Sequence, residues 1–152
     1  MASRGSSTME AVREQTVVPL DMRRAFELFT EGIGTWWPFE QFNYSGGRTR
    51  SVHLEPRPGG RFFERLEDGS ELIDGGVVDV EVPHRIVFTY RAPGYPADTE
   101  VEATFSHHGA ETRVEVEHRG WERLGAQARE QRDGHAQGWP YLLGLYRQAA
   151  GR

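Results

Sequence analysis

The chain has 152 residues, of which 37% are apolar and 27% charged, a balance typical of one globular domain with a core large enough for a cavity. Its net charge of −5 argues against binding to nucleic-acid phosphates or to an anionic membrane surface. All 18 basic residues are Arg and there is no Cys, which excludes a Schiff-base lysine, disulfides, thiolate zinc sites and cysteine nucleophiles.

The N-terminal part of the chain predicts a tail, a strand and a helix. Residues 1–8 are small and polar and are expected to be disordered, which leaves 9–152 as a single domain. Glu10–Val18 alternates as a strand that ends at Pro19, and Asp21 is placed to cap the following helix. No signal peptide or membrane span is visible, so we expect a cytoplasmic protein. The apolar stripe of the predicted helix consists of Met22, Ala25, Phe26, Phe29 and Ile33.

An aromatic segment, Thr35–Tyr44, follows the glycines that end this helix. It carries five aromatic side chains around Pro38 and has no clear period. A loop this aromatic is unfavourable in solvent, so we expect it to fold over the core or over the mouth of a cavity.

The middle of the chain predicts an antiparallel sheet. Asp68-Gly69 is a strong hairpin signal, and Gly75-Gly76 indicates a bulge or sharp bend within a long strand. Consecutive strands joined by short turns form a meander, and a sheet of this length must curl. The predicted strands are Arg50–Leu54, Arg61–Leu66, Glu71–Val82, Arg85–Arg91, Thr99–Ser106 and Glu111–Arg119.

The C-terminal part predicts helices. Trp121–Gln131 has the composition of a helix, which Asp133-Gly134 is expected to interrupt. A last helix begins at Trp139 and reaches Ala150, with Pro140 in its first turn or at a kink. The apolar face of that helix is too wide to leave in water, so it requires a broad partner surface. The predicted class is therefore α+β, with about six or seven antiparallel strands wrapped around a long C-terminal helix and short helices after the first strand.

Several segments, taken in their order and spacing, resemble the SRPBCC (START-like) superfamily. The most similar branch is named after the activator of the heat-shock-protein-90 ATPase homologue. This resemblance, which runs from about Glu10 to the C-terminus, implies a helix-grip fold with a deep cavity between sheet and helix. The segments that carry it are Thr35–Pro38, Pro56–Phe62, Asp68–Glu71, Pro83–Tyr90, Thr112–Trp121 and Gly138–Pro140.

The function that the resemblance implies is broad. Proteins of this fold include ligand carriers, cyclases, dehydratases and co-chaperone domains. The eukaryotic activator carries a separate N-terminal domain for which this chain has no room, so we do not expect binding to the chaperone.

Three polar residues are candidates for catalysis. His118 shares a strand face with Val114 and Val116, where a neutral imidazole can act as a base or orient a ligand; alternatively it is a core histidine bonded to a neighbour. Glu64 faces inward and pairs with Arg61, Arg65 or His118, or it faces outward, depending on strand register. Tyr90 is the remaining candidate and would assist His118.

The large number of aromatic side chains supports ligand binding rather than catalysis. Taken singly, each aromatic side chain is best explained as core, but together they exceed what two thin layers need, and Tyr and Trp add polar tips for recognition. The predicted ligand-binding residues are Trp36, Trp37, Phe39, Phe42, Phe62, Phe88, Tyr90, Phe105, His118, Trp139, Leu142 and Tyr146.

The preferred hypothesis is a non-enzymatic or weakly enzymatic protein that binds a small hydrophobic or aromatic molecule in the cavity. The alternatives are a polyketide cyclase- or dehydratase-like enzyme that uses His118 and a protein-interaction module. We expect no cofactor and no metal site, because no pair of histidines has zinc-protease spacing. A homodimer through an outer strand or through the aromatic segment stays open.

Overall fold

The computed structural model describes residues 9–152, so the predicted disorder of residues 1–8 lies outside the described residues. The strands are β1 (Val12–Val18), β2 (Thr49–Leu54), β3 (Arg61–Leu66), β4 (Glu71–Glu81), β5 (Arg85–Tyr90), β6 (Thr99–His108) and β7 (Glu111–Arg119). The helices are α1 (Met22–Phe29) and α2 (Ala128–Ala150), with 3₁₀ segments at Ile33–Thr35 and Trp121–Gln127.

All seven strands form one antiparallel sheet in the order β1-β7-β6-β5-β4-β3-β2. The meander from β2 to β7 was predicted; β1 returns to pair with β7, and Val12 lies opposite His118. The sheet curls around α2, which confirms the predicted α+β helix-grip fold. Within residues 9–152 no helix is long and apolar enough to cross a membrane.

Local chemistry explains where α1 and the β6–β7 hairpin begin and end. The Asp21 carboxylate accepts a hydrogen bond from the backbone N–H of Arg24 at 2.9 Å, which confirms the predicted N-cap of α1. Strand β6 continues two residues beyond the predicted end, to His108, and the chain then reverses at Gly109, whose φ is 65°. Glycine adopts this left-handed conformation without steric cost, so the turn can be tight.

The predicted boundaries of the C-terminal helices were wrong. The expected helix over Trp121–Gln131 is split at Gly125 (φ 61°, ψ −123°), and the expected interruption at Asp133-Gly134 does not occur. Helix α2 instead runs unbroken for 23 residues and contains Pro140 well past its first turn. A helix-interior proline costs roughly 3 kcal/mol, but burying a large apolar side chain contributes about 1.5–3 kcal/mol. Burial of Trp139 and the leucines after Pro140 therefore offsets that cost.

One end of the space beneath α2, which we call the packed end, is filled by aromatic side chains. The ring of Tyr146 lies 5.5 Å from that of Phe29 and 5.2 Å from that of Trp36, in edge-to-face geometry, and its hydroxyl donates to the Ala25 carbonyl at 2.7 Å. Phe105 on β6 completes the cluster at 5.7 Å from Phe29. These side chains are at most 4% exposed and pack against one another, so the packed end is part of the hydrophobic core.

Candidate ligand-binding site

The other end of the space beneath α2 is hollow. A cavity of about 280 Å³ lies between the helix, the sheet and the aromatic segment. The sheet contributes Phe62, Phe88, Tyr90, Val101 and His118; the loop contributes Trp37, Gln41, Phe42, Asn43 and Tyr44. Among these, Gln41, Phe42 and Tyr44 are exposed and mark the side that is open to solvent.

Helix α2 faces the cavity with a stripe of six residues at helical spacing. They are Gln131, Gly134, His135, Gly138, Trp139 and Leu142. A Cβ added at Gly134 or at Gly138 would meet no heavy atom within 4 Å. The hollow therefore exists partly because the helix lacks side chains at these two positions.

The structure places eight of the twelve predicted ligand-binding residues on the cavity wall: Trp37, Phe42, Phe62, Phe88, Tyr90, His118, Trp139 and Leu142. Trp36, Phe105 and Tyr146 belong to the packed end, and Phe39 packs partly buried against the core. Tyr146 lies about one helical turn beyond Leu142, the last α2 residue on the cavity wall, and Trp36 packs against its ring there.

Sequence reasoning missed the first half of the α2 stripe. We began the helix at Trp139, so Gln131 and His135 were not considered as wall residues. Extending the i, i+3, i+4 pattern backwards from Trp139 through Gly138 and Gly134 reaches both.

His118 lies at the junction of β7 and α2 with both ring nitrogens hydrogen-bonded. The Thr99 hydroxyl donates to the Tyr90 carbonyl at 2.8 Å, so its oxygen accepts from His118 Nε2–H at 2.8 Å. Trp139 Nε1–H donates to His118 Nδ1 at 3.1 Å. These bonds specify the neutral tautomer that carries its proton on Nε2.

Burial keeps His118 neutral. The side chain is 1% exposed, and its ring packs 4.2 Å from that of Trp121. Desolvation, with a smaller contribution from His135, lowers the pKa of His118 well below its ordinary value. Protonation would also remove the lone pair that accepts from Trp139, so the ring is a structural connector between strand and helix.

His135 is the second histidine of the wall, 4.9 Å from His118 between ring centroids. Its Nδ1 lies 3.0 Å from the carbonyl oxygen of Gln131, one helical turn earlier, and must donate its proton to that acceptor. Burial lowers the pKa of His135, so Nε2 carries a lone pair near neutral pH. Among residues 9–152 no group forms a hydrogen bond to this nitrogen.

Glu64 is on the inner face of β3 but lies beneath the aromatic segment rather than on the cavity wall. Its Oε1 accepts from the Thr49 hydroxyl at 2.6 Å and from the Tyr44 backbone N–H at 3.4 Å. Neither expected arginine contacts it: Arg61 and Arg65 bond instead to Glu71 on the outer face of the sheet.

The partner of Glu64 is Asp74, a second buried carboxyl group. Phe62 pairs with Gly75 and Phe63 with Ile73, so Asp74 is the extra residue of a β-bulge that directs its side chain inward. Desolvation, together with the hydrogen bond to Glu64 and its charge, raises the pKa of Asp74 to about 9. Asp74 is therefore protonated at neutral pH and donates to Glu64.

The carboxyl pair and an asparagine hold the aromatic segment over the cavity. Asn43 donates from Nδ2 to the Phe39 carbonyl at 2.7 Å, and its Oδ1 accepts from the backbone N–H of Ser45 at 3.2 Å. Although part of Tyr44 is exposed, desolvation of its phenol raises the pKa of Tyr44 above the ordinary value, and Tyr95, Asp74 and Glu64 add to the effect. The polar groups under the loop thus form one connected cluster.

A wider depression of about 400 Å³ lies on the outer face of the sheet and differs in chemistry. It is lined mainly by charged side chains, among them Arg13 and Glu117, which form an ion pair at 3.3 Å. Among residues 9–152 no group of three or more His, Asp or Glu is arranged to hold a metal ion. The aromatic cavity beneath α2 is therefore the better candidate site for a ligand.

Comparison with known proteins places these features in a family. A model of the family described as Activator of Hsp90 ATPase homolog 1-like protein matches residues 20–147. None of the curated proteins searched matches the chain.

Solved structures of similar fold have varied descriptions. The chain is similar to CalC from Micromonospora echinospora, a self-sacrificing resistance protein (29% identity, 93% of this chain and 94% of that one, TM-score 0.69). It is also similar to Txn09, an anthrahydroquino-γ-pyrone synthase (30% identity, 82% and 85%, TM-score 0.56). An Hsp90 activator from Plasmodium falciparum shares the fold alone (18% identity, 73% of each chain, TM-score 0.50).

Proposed function

The chain belongs to the family of Activator of Hsp90 ATPase homolog 1-like proteins, a START-like family, and from that premise we propose that it binds a small, neutral aromatic molecule between the sheet and α2. The observation that carries the proposal is the hollow of about 280 Å³ beside Gly134 and Gly138. An engineered cavity of about 150 Å³ in another protein binds benzene, so this one has room for about two fused rings.

The chemistry of the wall supports a neutral, flat ligand. Aromatic side chains face the hollow from the sheet, the loop and the helix, and they offer edges and faces for ring stacking. None of the wall residues carries an Asp, Glu or Arg side chain, and His118 and His135 are held neutral by burial. An ionised ligand would lose its hydration without gaining a counter-charge.

Catalysis by His118 is the weaker alternative. The likeness to a synthase at 30% identity supports it, but a general base needs a free lone pair within reach of the substrate. The lone pair of His118 is occupied by Trp139, and its proton is donated to Thr99. Proton transfer would require one of these buried bonds to break, so the geometry favours binding.

Two glycine substitutions in α2 test the proposal. We expect 2-methoxynaphthalene, a neutral two-ring probe, to bind saturably to the wild-type protein in isothermal titration calorimetry. Gly138→Leu places a side chain in the hollow and is expected to abolish that binding. Gly144→Leu is the matched control, because Gly144 is exposed on the same helix, has open space around it and does not line the cavity.

The same titration with 2-naphthoate, which is anionic at neutral pH, is expected to show weaker binding. No saturable binding of 2-methoxynaphthalene to the wild type, or equal binding by wild type and Gly138→Leu, would count against the proposed function. Loss of binding in Gly144→Leu as well would indicate a general effect on the helix and contradict the assignment of the site.

A further inference from the structure

The cavity wall contains two histidines whose hydrogen-bonding states differ. His118 has both ring nitrogens bonded, to Thr99 and to Trp139. His135 has one nitrogen bonded, to the Gln131 carbonyl, while Nε2 has no partner among the residues that the structure describes. This nitrogen is accessible to solvent rather than sealed in the core, and a ligand that shielded it without supplying a polar partner would leave it unsatisfied, so a matching ligand group is favoured there.

The backbone decides which kind of group can bind there. A main-chain carbonyl accepts hydrogen bonds and never donates them, so Nδ1 of His135 must carry the proton. In the neutral ring Nε2 is then an acceptor, and burial keeps the ring neutral by lowering its pKa. The complementary ligand group is a hydrogen-bond donor.

The surroundings of His135 favour an uncharged hydrogen-bond donor on the ligand. Rings of Tyr90, Trp121 and His118 lie 5.4, 5.0 and 4.9 Å from that of His135, so the half-buried ring is surrounded largely by aromatic side chains. With no carboxylate on the wall, an ammonium donor would have no counter-charge. The Tyr90 hydroxyl also lacks a bond to any described residue, and a ligand hydroxyl can accept from it while donating to His135.

We propose that His135 determines ligand specificity by accepting a hydrogen bond from a phenolic hydroxyl of the bound aromatic molecule. The inference rests on the proposed function and deepens it, because it assigns the ligand to the phenols. It also assigns separate roles to the two histidines: His118 joins β7 to α2, and His135 contacts the ligand.

The experiment compares two probes of similar shape, 2-naphthol and its methyl ether, 2-methoxynaphthalene, by calorimetry at pH 7. One hydrogen bond is worth about 2- to 10-fold in affinity, so we expect the wild type to prefer the naphthol. His135→Phe is expected to reduce the preference, measured as the ratio of the two Kd values, by about 2- to 10-fold. His84→Phe, a substitution of an exposed histidine outside the cavity, is expected to leave the ratio unchanged.

A second measurement avoids substitution. In the wild type, the ¹⁵N resonance of His135 Nε2 is expected to shift when 2-naphthol binds and to shift little with the ether, because only the naphthol donates. An equal ratio of Kd values in wild type and His135→Phe, or an unchanged Nε2 resonance with naphthol bound, would overturn the assignment of His135 while the proposed function stands. Failure of both probes to bind would instead refute the proposed function itself.

Discussion

The two ends of the space beneath α2 show how one helix can both fill a core and leave a hollow. At the packed end Tyr146 meets Phe29, Trp36 and Phe105, and its hydroxyl is bonded to backbone. At the cavity end, two and three turns earlier, the same face of the helix presents Gly138 and Gly134 to open space. The two ends differ because the volume of the side chains changes along this one face of α2.

This division separates stability from function. The packed end buries large rings in contact with one another, which supplies hydrophobic and dispersion energy. The cavity end leaves apolar surface without contacts and contains polar groups at its margin, which together lower stability. We therefore expect substitutions at the two ends to have effects of different size and, in one case, of opposite sign.

The largest expected effect is loss of a ring at the packed end. Phe29→Ala is expected to lower the free energy of unfolding by about 3–5 kcal/mol, because Phe29 is 1% exposed and contacts three aromatic rings. Phe42→Ala on the cavity wall, where Phe42 is 38% exposed, should cost about 1 kcal/mol or less. Urea denaturation measures both, and equal costs would contradict the division into two ends.

Replacement of His118 is expected to have the next largest effect on stability. His118→Phe leaves Trp139 Nε1–H buried without an acceptor, so at pH 8 we expect a loss of about 1–3 kcal/mol. The pKa of His118 is lower in the folded state than in the unfolded state, where it is 6.5. Its contribution to stability is therefore present above pH 6.5 and is lost as pH falls. The deficit of the variant should therefore shrink below pH 6.5. A deficit that stays constant from pH 8 to pH 5 would argue against a buried, neutral His118.

The carboxyl pair beside the cavity predicts the opposite pH dependence. The pKa of Asp74 is raised from 3.8 to about 9 in the folded state, so stability falls as pH rises through that window, by at most about 1.4 kcal/mol per unit. Below pH 6.5 the histidines oppose this trend, so the clearest range is pH 7 to 9. Asp74→Asn keeps a donor for Glu64 and cannot titrate, and its stability should fall less over that range.

The control for this comparison is Asp79→Asn on the same strand. Asp79 is exposed and its pKa is lowered by Arg85, so its titration lies far below pH 7. This variant should follow the wild type between pH 7 and 9. Parallel curves for Asp74→Asn and wild type would show that Asp74 does not hold a proton in the folded protein.

The smallest effect is a gain in stability at the cavity end. Gly134→Ala adds a methyl group into open space and improves helix propensity, so we expect an increase of about 0.5–1 kcal/mol. Gly144→Ala on the outer face should give a similar increase, which thermal denaturation would measure for both. A loss of stability in Gly134→Ala alone would mean that the hollow is narrower than the structure indicates.

Much of the fold could be predicted because it follows from local periodicity. Alternation, the Asp68-Gly69 turn and the Asp21 cap placed the strands and the first helix within a few residues of their observed ends. The C-terminal segment was less predictable, since Pro140 and Asp133-Gly134 are helix-breaking signals. Burial on the sheet outweighed those signals, and local sequence does not report tertiary burial.

The site was predicted only in part, for a similar reason. Alternation assigns Phe88 and Tyr90 to a face, but it does not separate Trp36 at the packed end from Trp37 on the cavity wall. Glu64 and Asp74 come together through a β-bulge, whose inward-pointing residue depends on the register between two strands. Neither distinction is encoded in residue spacing alone.

The sequence by itself determined the order of elements, the apolar stripe of the last helix and the absence of cysteine and lysine chemistry, because these depend on residue type and short-range spacing. Only the tertiary structure decided which end of that stripe is filled, which histidine is fully bonded and which carboxyl groups share a proton. Those properties depend on distances between residues far apart in the chain, such as His118 and Trp139, and such distances exist only once the sheet has closed around the helix.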